Sequence, residues 1–253
     1  ILHYQPVFDI SICPDGTFTG LEALTRWQHP TRGLIAPDDF IPIAEETGII
    51  IPLGQWAIRT ACRQMRVWQA QYPDAPWFAM SVNLSGRQFT DPHLVEDVTA
   101  ILQETGMEPL RLILEITESV MMDDVATAVV TIERLKQLGI QLAIDDFGTG
   151  YSSLASLRYL PVNHLKIDRS FVDGLGTEAD DSVIVSGIVG LAHGLRLSVV
   201  AEGVETAEQL AQLRVLGCSY AQGYYFSRPL PTDGISALLG SLVTQSAADV
   251  DTA

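Results

Sequence analysis

Short apolar runs recur along this chain, and each breaks off on a carboxylate, an amide or a lysine. Leu142-Ala143-Ile144 runs into Asp145-Asp146, followed by the glycine-rich Phe147-Gly148-Thr149-Gly150. Gly20 to Leu24 carries Glu22, Ser81-Val82 ends on Asn83, and Leu112 to Thr117 carries Glu115. His164 to Asp168 holds Lys166 and Asp168, Val199-Val200-Ala201 delivers Glu202, and Ala221 precedes Gln222. These runs read as strands. A hydrocarbon interior does not accept so many charges singly, because each costs several kcal/mol unless it is paired, metal-bound or at a wet rim. The polar residues are therefore expected to converge on one site.

Segments with helical period and end signals lie between the strands. Pro37, Asp38 and Asp39 open one helix, which Gly48 can close. Trp56 to Trp68 reads as the next. Asp91-Pro92 starts another, with Leu94, Val98, Ile101 and Leu102 on one face and Gly106 at its end. Asp123 and Asp124 lead Val125, Val129, Ile132 and Leu135 to Gly139, and Thr206 with Gln209 has capping-box spacing ahead of Leu210 and Leu213.

Alternating strands and helices imply right-handed crossovers and a parallel sheet, either closed or open and doubly wound. An open sheet would gather its polar residues near one switch point, whereas here they end strands along the whole chain. The expected fold is a single-domain α/β chain, a TIM-type (β/α)8 barrel over residues 1–244. Residues 245–253, small and aperiodic, are expected to form a loose tail. The 253 residues match the barrel's usual length of about 250. The chain opens on Ile1 in a strand-like run and reads as a piece of a longer protein.

A formal charge of -16 argues against a surface that coats polymeric nucleic acid, although a small phosphodiester can bind an acidic protein through metal ions. Cys13, Cys62 and Cys218 show no Cys-x-x-Cys pair and suit buried thiols in a reducing, cytoplasmic setting. Val183 to Val200, the most apolar long stretch, contains His193 and Arg196, so no membrane span is expected.

Adjacent strand residues point to opposite faces, so Asp145 and Asp146 can reach one ligand only if a bulge or the strand end turns them. Hard oxygen donors without His or Cys favour Mg²⁺ or Mn²⁺ over zinc. Taken alone, Glu22 is as compatible with capping a neighbouring helix as with catalysis.

Glu22-Ala23-Leu24 with Arg26-Trp27, Asn83-Leu84-Ser85, Glu115-Ile116-Thr117-Glu118, Asp145 to Gly150, Lys166-Ile167-Asp168, Ala201 to Glu205 and Gln222-Gly223-Tyr224 together resemble the EAL-domain cyclic di-GMP phosphodiesterases. The set spans residues 4 to 230. Thr25 departs from the family pattern, where a second Leu is commoner, and the usual helical lead-in before Tyr4-Gln5-Pro6 is missing.

The resemblance implies hydrolysis of cyclic di-GMP to linear pGpG with two cations about 3.5 to 4 Å apart. It implies that Glu22, Asn83, Glu115 and Asp145 hold one cation, while Asp145, Asp146 and Asp168 serve the other. Lys166, Glu202 and Gln222 would position the attacking water. Arg26 would contact phosphate, the alternative being a surface ion pair. Leu24 would line the substrate site, and Gln5 would touch a guanine edge or play a structural role. Glu118 would anchor the loop from Asp146 to Ser153, and the segment Ser152 to Leu160 would form a homodimer contact. An upstream sensory or GGDEF-type domain is expected in the parent protein. Ca²⁺ is expected to bind and inhibit. A non-catalytic cyclic di-GMP receptor is the rival reading, but such receptors generally lack several acids of the metal site, and here every one is present.

Overall fold

The computed structural model describes residues 1–13, 16–149, 157–175 and 179–250, without the side chains of 121–123, 179, 180 and 245–250. The barrel strands are β1 (Leu2–Asp9), β2 (Thr17–Thr25), β5 (Ala79–Leu84), β6 (Leu112–Thr117), β7 (Gln141–Phe147), β8 (His164–Ile167), β9 (Ser198–Ala201) and β10 (Tyr220–Ala221). They close in the order β1-β10-β9-β8-β7-β6-β5-β2. A separate hairpin of β3 (Trp27–His29) and β4 (Gly33–Ile35) follows β2.

The expected closed α/β barrel is present, but its sheet is not wholly parallel. β1 runs antiparallel to both neighbours, with Gln5 opposite Glu22. The other barrel neighbours pair in parallel. The reason is the connection: the chain between Asp9 and Thr17 is too short for a crossover helix, which takes a dozen or more residues.

Alternation along each strand separates two environments. On β6, Leu112, Leu114 and Ile116 are fully buried and pack outward beneath the helices, while Ile113 and Glu115 face the barrel axis. Burying each outward aliphatic contributes roughly 1.5–3 kcal/mol. The same alternation turns Ala143, Asp145, His164 and Lys166 inward. Tyr4 of β1 meets Trp68 edge-on, ring centroids 4.9 Å apart, and the Trp68 indole N–H donates to Ser236 Oγ at 3.0 Å.

Among the described residues the α-helices are α1 (Ile41–Thr47), α2 (Ile50–Gln71), α3 (Gly86–Phe89), α4 (Leu94–Thr105), α5 (Glu118–Asp123) and α6 (Val125–Gln137), then α7 (Arg169–Asp173), α8 (Ala179–Gly194), α9 (Ala207–Val215) and α10 (Thr232–Val250). Most end signals act as expected. Asp124 accepts from the Thr127 amide, and Thr206 with Gln209 forms a reciprocal capping box. The helix expected from Pro37 is instead a 3-10 turn, Pro37–Asp39, separated from α1 by Phe40. α2 starts well before Trp56, since packing carries the helix through Pro52 and Gly54. α10 continues to Val250 through residues expected to be a loose tail; Gln245, Ala247 and Ala248 are good helix formers. Among the described residues, no helix is long and apolar enough to cross a membrane. In the segment from Ser152 to Leu160, residues 152–156 lie outside the described residues.

Candidate active site

In a barrel of this kind, inward side chains at the C-terminal ends of successive strands meet at one mouth. Glu22, Glu115, Asp145 and Lys166 do so here and are all buried. The Lys166 ammonium sits among them, 2.6 Å from Glu115 Oε2, 2.6 Å from Glu202 Oε1, 3.1 Å from Asp145 Oδ1 and 3.7 Å from Glu22 Oε2.

Amides orient the acids. Asn83 Nδ2 donates to Glu22 Oε1 at 2.7 Å, and Gln222 Nε2 donates to Glu22 Oε2 at 2.6 Å. Gln222 Nε2 also donates to Gln5 Oε1 at 3.1 Å, and Gln5 Nε2 donates to the Ser227 carbonyl at 3.0 Å. Gln5 is thus a structural tie between β1 and the chain after β10. No local motif signals that tie, because the partners lie more than two hundred residues apart in sequence. Gly223 is required next to Gln222: a Cβ there would lie 2.1 Å from the Val204 carbonyl oxygen.

Both acids of the Asp145-Asp146 pair turn toward the mouth because the strand is irregular. The β7–β8 register shifts between Ile144 and Phe147, and Asp146 has φ 53°. Carboxylate oxygens of Asp145, Asp146 and Glu202 lie within 4.8 Å of one another. Glu202, expected only to position water, therefore joins the pair. Asp168 is not in that group. Its Oδ1 caps α7, accepting from the Ser170 amide at 3.0 Å and from the Ser170 hydroxyl.

Glu118 begins α5 and is 2% exposed. Its Oε2 accepts the Gly148 amide at 2.9 Å, so it contacts the glycine-rich loop, of which residues 150–153 lie outside the described residues. Gly148 has φ 99°, a conformation that favours glycine. Arg26 is part-buried, and its Nη1 donates to the Thr25 carbonyl at 2.9 Å. Leu24, Asn83 and Asp146 line a cleft of about 790 Å³ at the mouth, a size within the usual range for ligand sites.

One lysine lies within 3.7 Å of four carboxyl groups, and the proton affinities of Glu202, Asp146, Glu115 and Glu22 record the imbalance. Burial raises the Glu202 carboxyl to about 8 against the pull of Lys166, with Asp145 and Glu22 adding to the rise. Burial lifts Asp146 to about 6, with help from the Asp145 and Asp168 charges. Glu115 is pushed well above the carboxylate range by burial, which outweighs Lys166. Glu22 is held low: burial opposes this, but Lys166, Gln222 and Asn83 outweigh it. Lys166 stays protonated because the surrounding carboxylates overcome its desolvation. Buried hard oxygens with an excess of negative charge are a donor set that fits divalent cations.

Comparison with known proteins places this geometry. The EAL domain family matches residues 1–229. The bifunctional diguanylate cyclase/cyclic di-GMP phosphodiesterase MucR of Pseudomonas aeruginosa is 47% identical over 237 residues, which are 94% of this chain and 34% of MucR. The cyclic di-GMP phosphodiesterase NbdA of the same organism is 44% identical over 94% of this chain and 30% of its own. The chain thus spans about a third of the length of these curated relatives. Among solved structures, a complex of the PaMucR phosphodiesterase with c-di-GMP superposes with a TM-score of 0.87 at 46% identity, covering 93% of each chain.

Proposed function

The chain belongs to the EAL domain family, and on that premise we propose that it hydrolyses one phosphodiester of cyclic di-GMP to give linear pGpG. The observation that carries this reading is the ring of Glu22, Glu115, Asp145 and Glu202 about Lys166, whose neighbours Asn83 and Asp146 line the mouth cleft. Two ions of Mg²⁺ or Mn²⁺ would supply an activated water and neutralise charge on the phosphoryl oxygens. Glu22, Asn83, Glu115 and Asp145 would hold one ion. Asp145 and Asp146 would hold the other, with Glu202 in the place expected of Asp168.

The remaining roles belong to the chain's own side chains. Gln222 and Asn83 fix the Glu22 carboxylate through both oxygens, so it meets its ligand without reorganisation. Lys166 holds Glu115, Asp145 and Glu202 in place and favours negative charge on a water beside it. Arg26, next to the mouth, takes a phosphate oxygen, and Leu24 forms part of the wall beneath the substrate. Gln5 is tied up in structure, but its place beside Gln222 leaves it at the edge of the same surface. The net charge of -16 disfavours any polymeric nucleic acid. The chain acts as the cytoplasmic catalytic part of a longer signalling protein, as a homodimer, with a sensory or GGDEF-type domain upstream.

The test is incubation with cyclic di-GMP and Mg²⁺, with and without excess chelator, followed by chromatography. Linear pGpG is expected only without chelator; cyclic di-GMP left intact in Mg²⁺ and in Mn²⁺ overturns the reading.

Two further outcomes are expected. Glu118→Ala should lower turnover roughly ten- to hundredfold, the usual cost of losing a supporting contact, while metal content stays that of the parent. A loss of metal as large as that of Glu22→Ala would make Glu118 a ligand instead. Ca²⁺ should bind at the same oxygens and inhibit, because its bonds run about 2.3–2.6 Å with loose coordination against about 2.0–2.1 Å for Mg²⁺. The check is pGpG formation at fixed Mg²⁺ with rising Ca²⁺; full turnover in Ca²⁺ alone contradicts a tightly spaced two-metal site.

A further inference from the structure

The axis of a (β/α)8 barrel is ordinarily filled by layers of bulky branched side chains. Below the mouth, this one is not. The inward positions of β2, β5 and β7 carry Gly20, Ala79, Ser81 and Ala143, leaving a chamber of about 150 Å³. Inward-facing Val7 and Ile113 are only half-buried, so the chamber communicates with the bottom face of the barrel.

The chamber has three zones. Its roof is the underside of Lys166, Glu115 and Gln222, and the walls of its waist are mostly apolar, with Ser81 and Thr19 as the hydroxyl-bearing residues between roof and rim. The rim at the bottom carries Trp77, 48% exposed, together with Tyr220, His164 and Gln141. The His164 and Tyr220 rings meet edge-on at 6.5 Å. Gln141 Nε2 donates to the Leu110 carbonyl, so its Oε1 is left to accept from His164 Nε2 at 2.9 Å. That bond sets the tautomer: in the neutral ring, Nδ1 is a bare acceptor, and among the described residues it has no hydrogen-bond partner. Burial keeps the ring neutral, with its pKa lowered to about 4.

Ordered water finds partners at the roof, where Gln222 Oε1 is buried with no hydrogen-bond partner among the described residues, but none along Gly20, Ala79, Ala143 and Val200, so it does not fill the waist well. Charged molecules suit it no better, since the rim's lining residues are neutral and the one cation among the lining residues, Lys166, is already surrounded by carboxylates; Arg111 lies 5.0 Å over the Trp77 ring but does not line the chamber. A chamber of about 150 Å³ can hold a benzene-sized molecule. The geometry points to a second ligand site at the barrel floor, taking a small neutral aromatic molecule whose N–H or O–H donates to His164 Nδ1 while its ring fills the waist between Ala79 and Ala143. Its occupant would touch from below the same side chains that a mouth ligand meets from above. The site stands independently of the reaction proposed for the mouth, and its test uses neither substrate nor metal.

Indole is the probe, because it has the required size and a single N–H donor. Calorimetric titration of the whole chain should show saturable one-to-one binding at millimolar concentration or below. Ala143→Leu and Ala79→Leu fill the waist from two different strands, and each should weaken binding by roughly tenfold or more, a change of about 1.4 kcal/mol. Circular dichroism establishes which of the two is folded. A crystal of the parent chain soaked in indole should show the ring in the chamber, and it decides the matter even if neither variant folds. The proposal is overturned by absence of saturable binding, by undiminished affinity in a folded plugged variant, or by a soaked crystal with only ordered water below Lys166.

Discussion

Replacing Glu22 by alanine is expected to lower cyclic di-GMP hydrolysis by on the order of a hundred- to a thousandfold or more, the scale seen when one preorganised electrostatic contact at a reaction centre is deleted. The fold should survive. Glu22 sits at the mouth, and its removal leaves the Asn83 amide in reach of solvent and the Gln222 amide still bonded to Gln5. It also relieves like-charge crowding, since Glu115, Asp145 and Glu202 remain to balance Lys166. The checks are initial rates of pGpG formation, a melting curve and metal content for parent and variant. Near-normal turnover in a folded Glu22→Ala chain would remove Glu22 from the site.

Lys166→Met should have the opposite profile, with stability as the first casualty. Lys166 is 2% exposed and is the shared partner of Glu115, Asp145, Glu202 and Glu22. Removing one side of a buried ion pair costs about 3–5 kcal/mol, because the remaining charge is left uncompensated. Here several acids lose the same partner. In chelator, Lys166→Met should therefore melt well below the parent. Adding Mg²⁺ or Mn²⁺ should raise the variant's melting temperature more than the parent's, because a cation then supplies the missing positive charge. Turnover should stay depressed even with metal present. Equal metal-induced shifts in the two proteins would mean that the lysine and the cation do not share these carboxylates.

Much of the site was legible because its chemistry is local to strand ends. The run into Asp145-Asp146, with glycines after it, announced both the acids and the need for a bulge, and the register shift with the positive φ at Asp146 meets that need. Helix ends were legible for the same reason: Gly48, Gly106 and Gly139 each have positive φ, and the Thr206 capping box forms. What depended on long-range packing was not legible. Strand direction at β1 follows from a short connection that alternation alone does not reveal. The exchange of Glu202 for Asp168 beside Asp145 and Asp146 follows from how β9 ends and from Ser170, which draws the Asp168 carboxylate to a helix cap. The hollow below Lys166 was equally hidden, because Gly20, Ala79 and Ala143 look like ordinary strand residues until their strands close around one axis.

The most direct test of the central claim is hydrolysis of cyclic di-GMP by the chain in H₂¹⁸O with Mg²⁺, read by mass spectrometry. One solvent oxygen should appear per molecule of linear pGpG, on the phosphate of the opened bond, if the attacking group is, as proposed, a water held by the acids around Lys166. Unlabelled linear product, or cyclic di-GMP recovered intact after prolonged incubation, would contradict it.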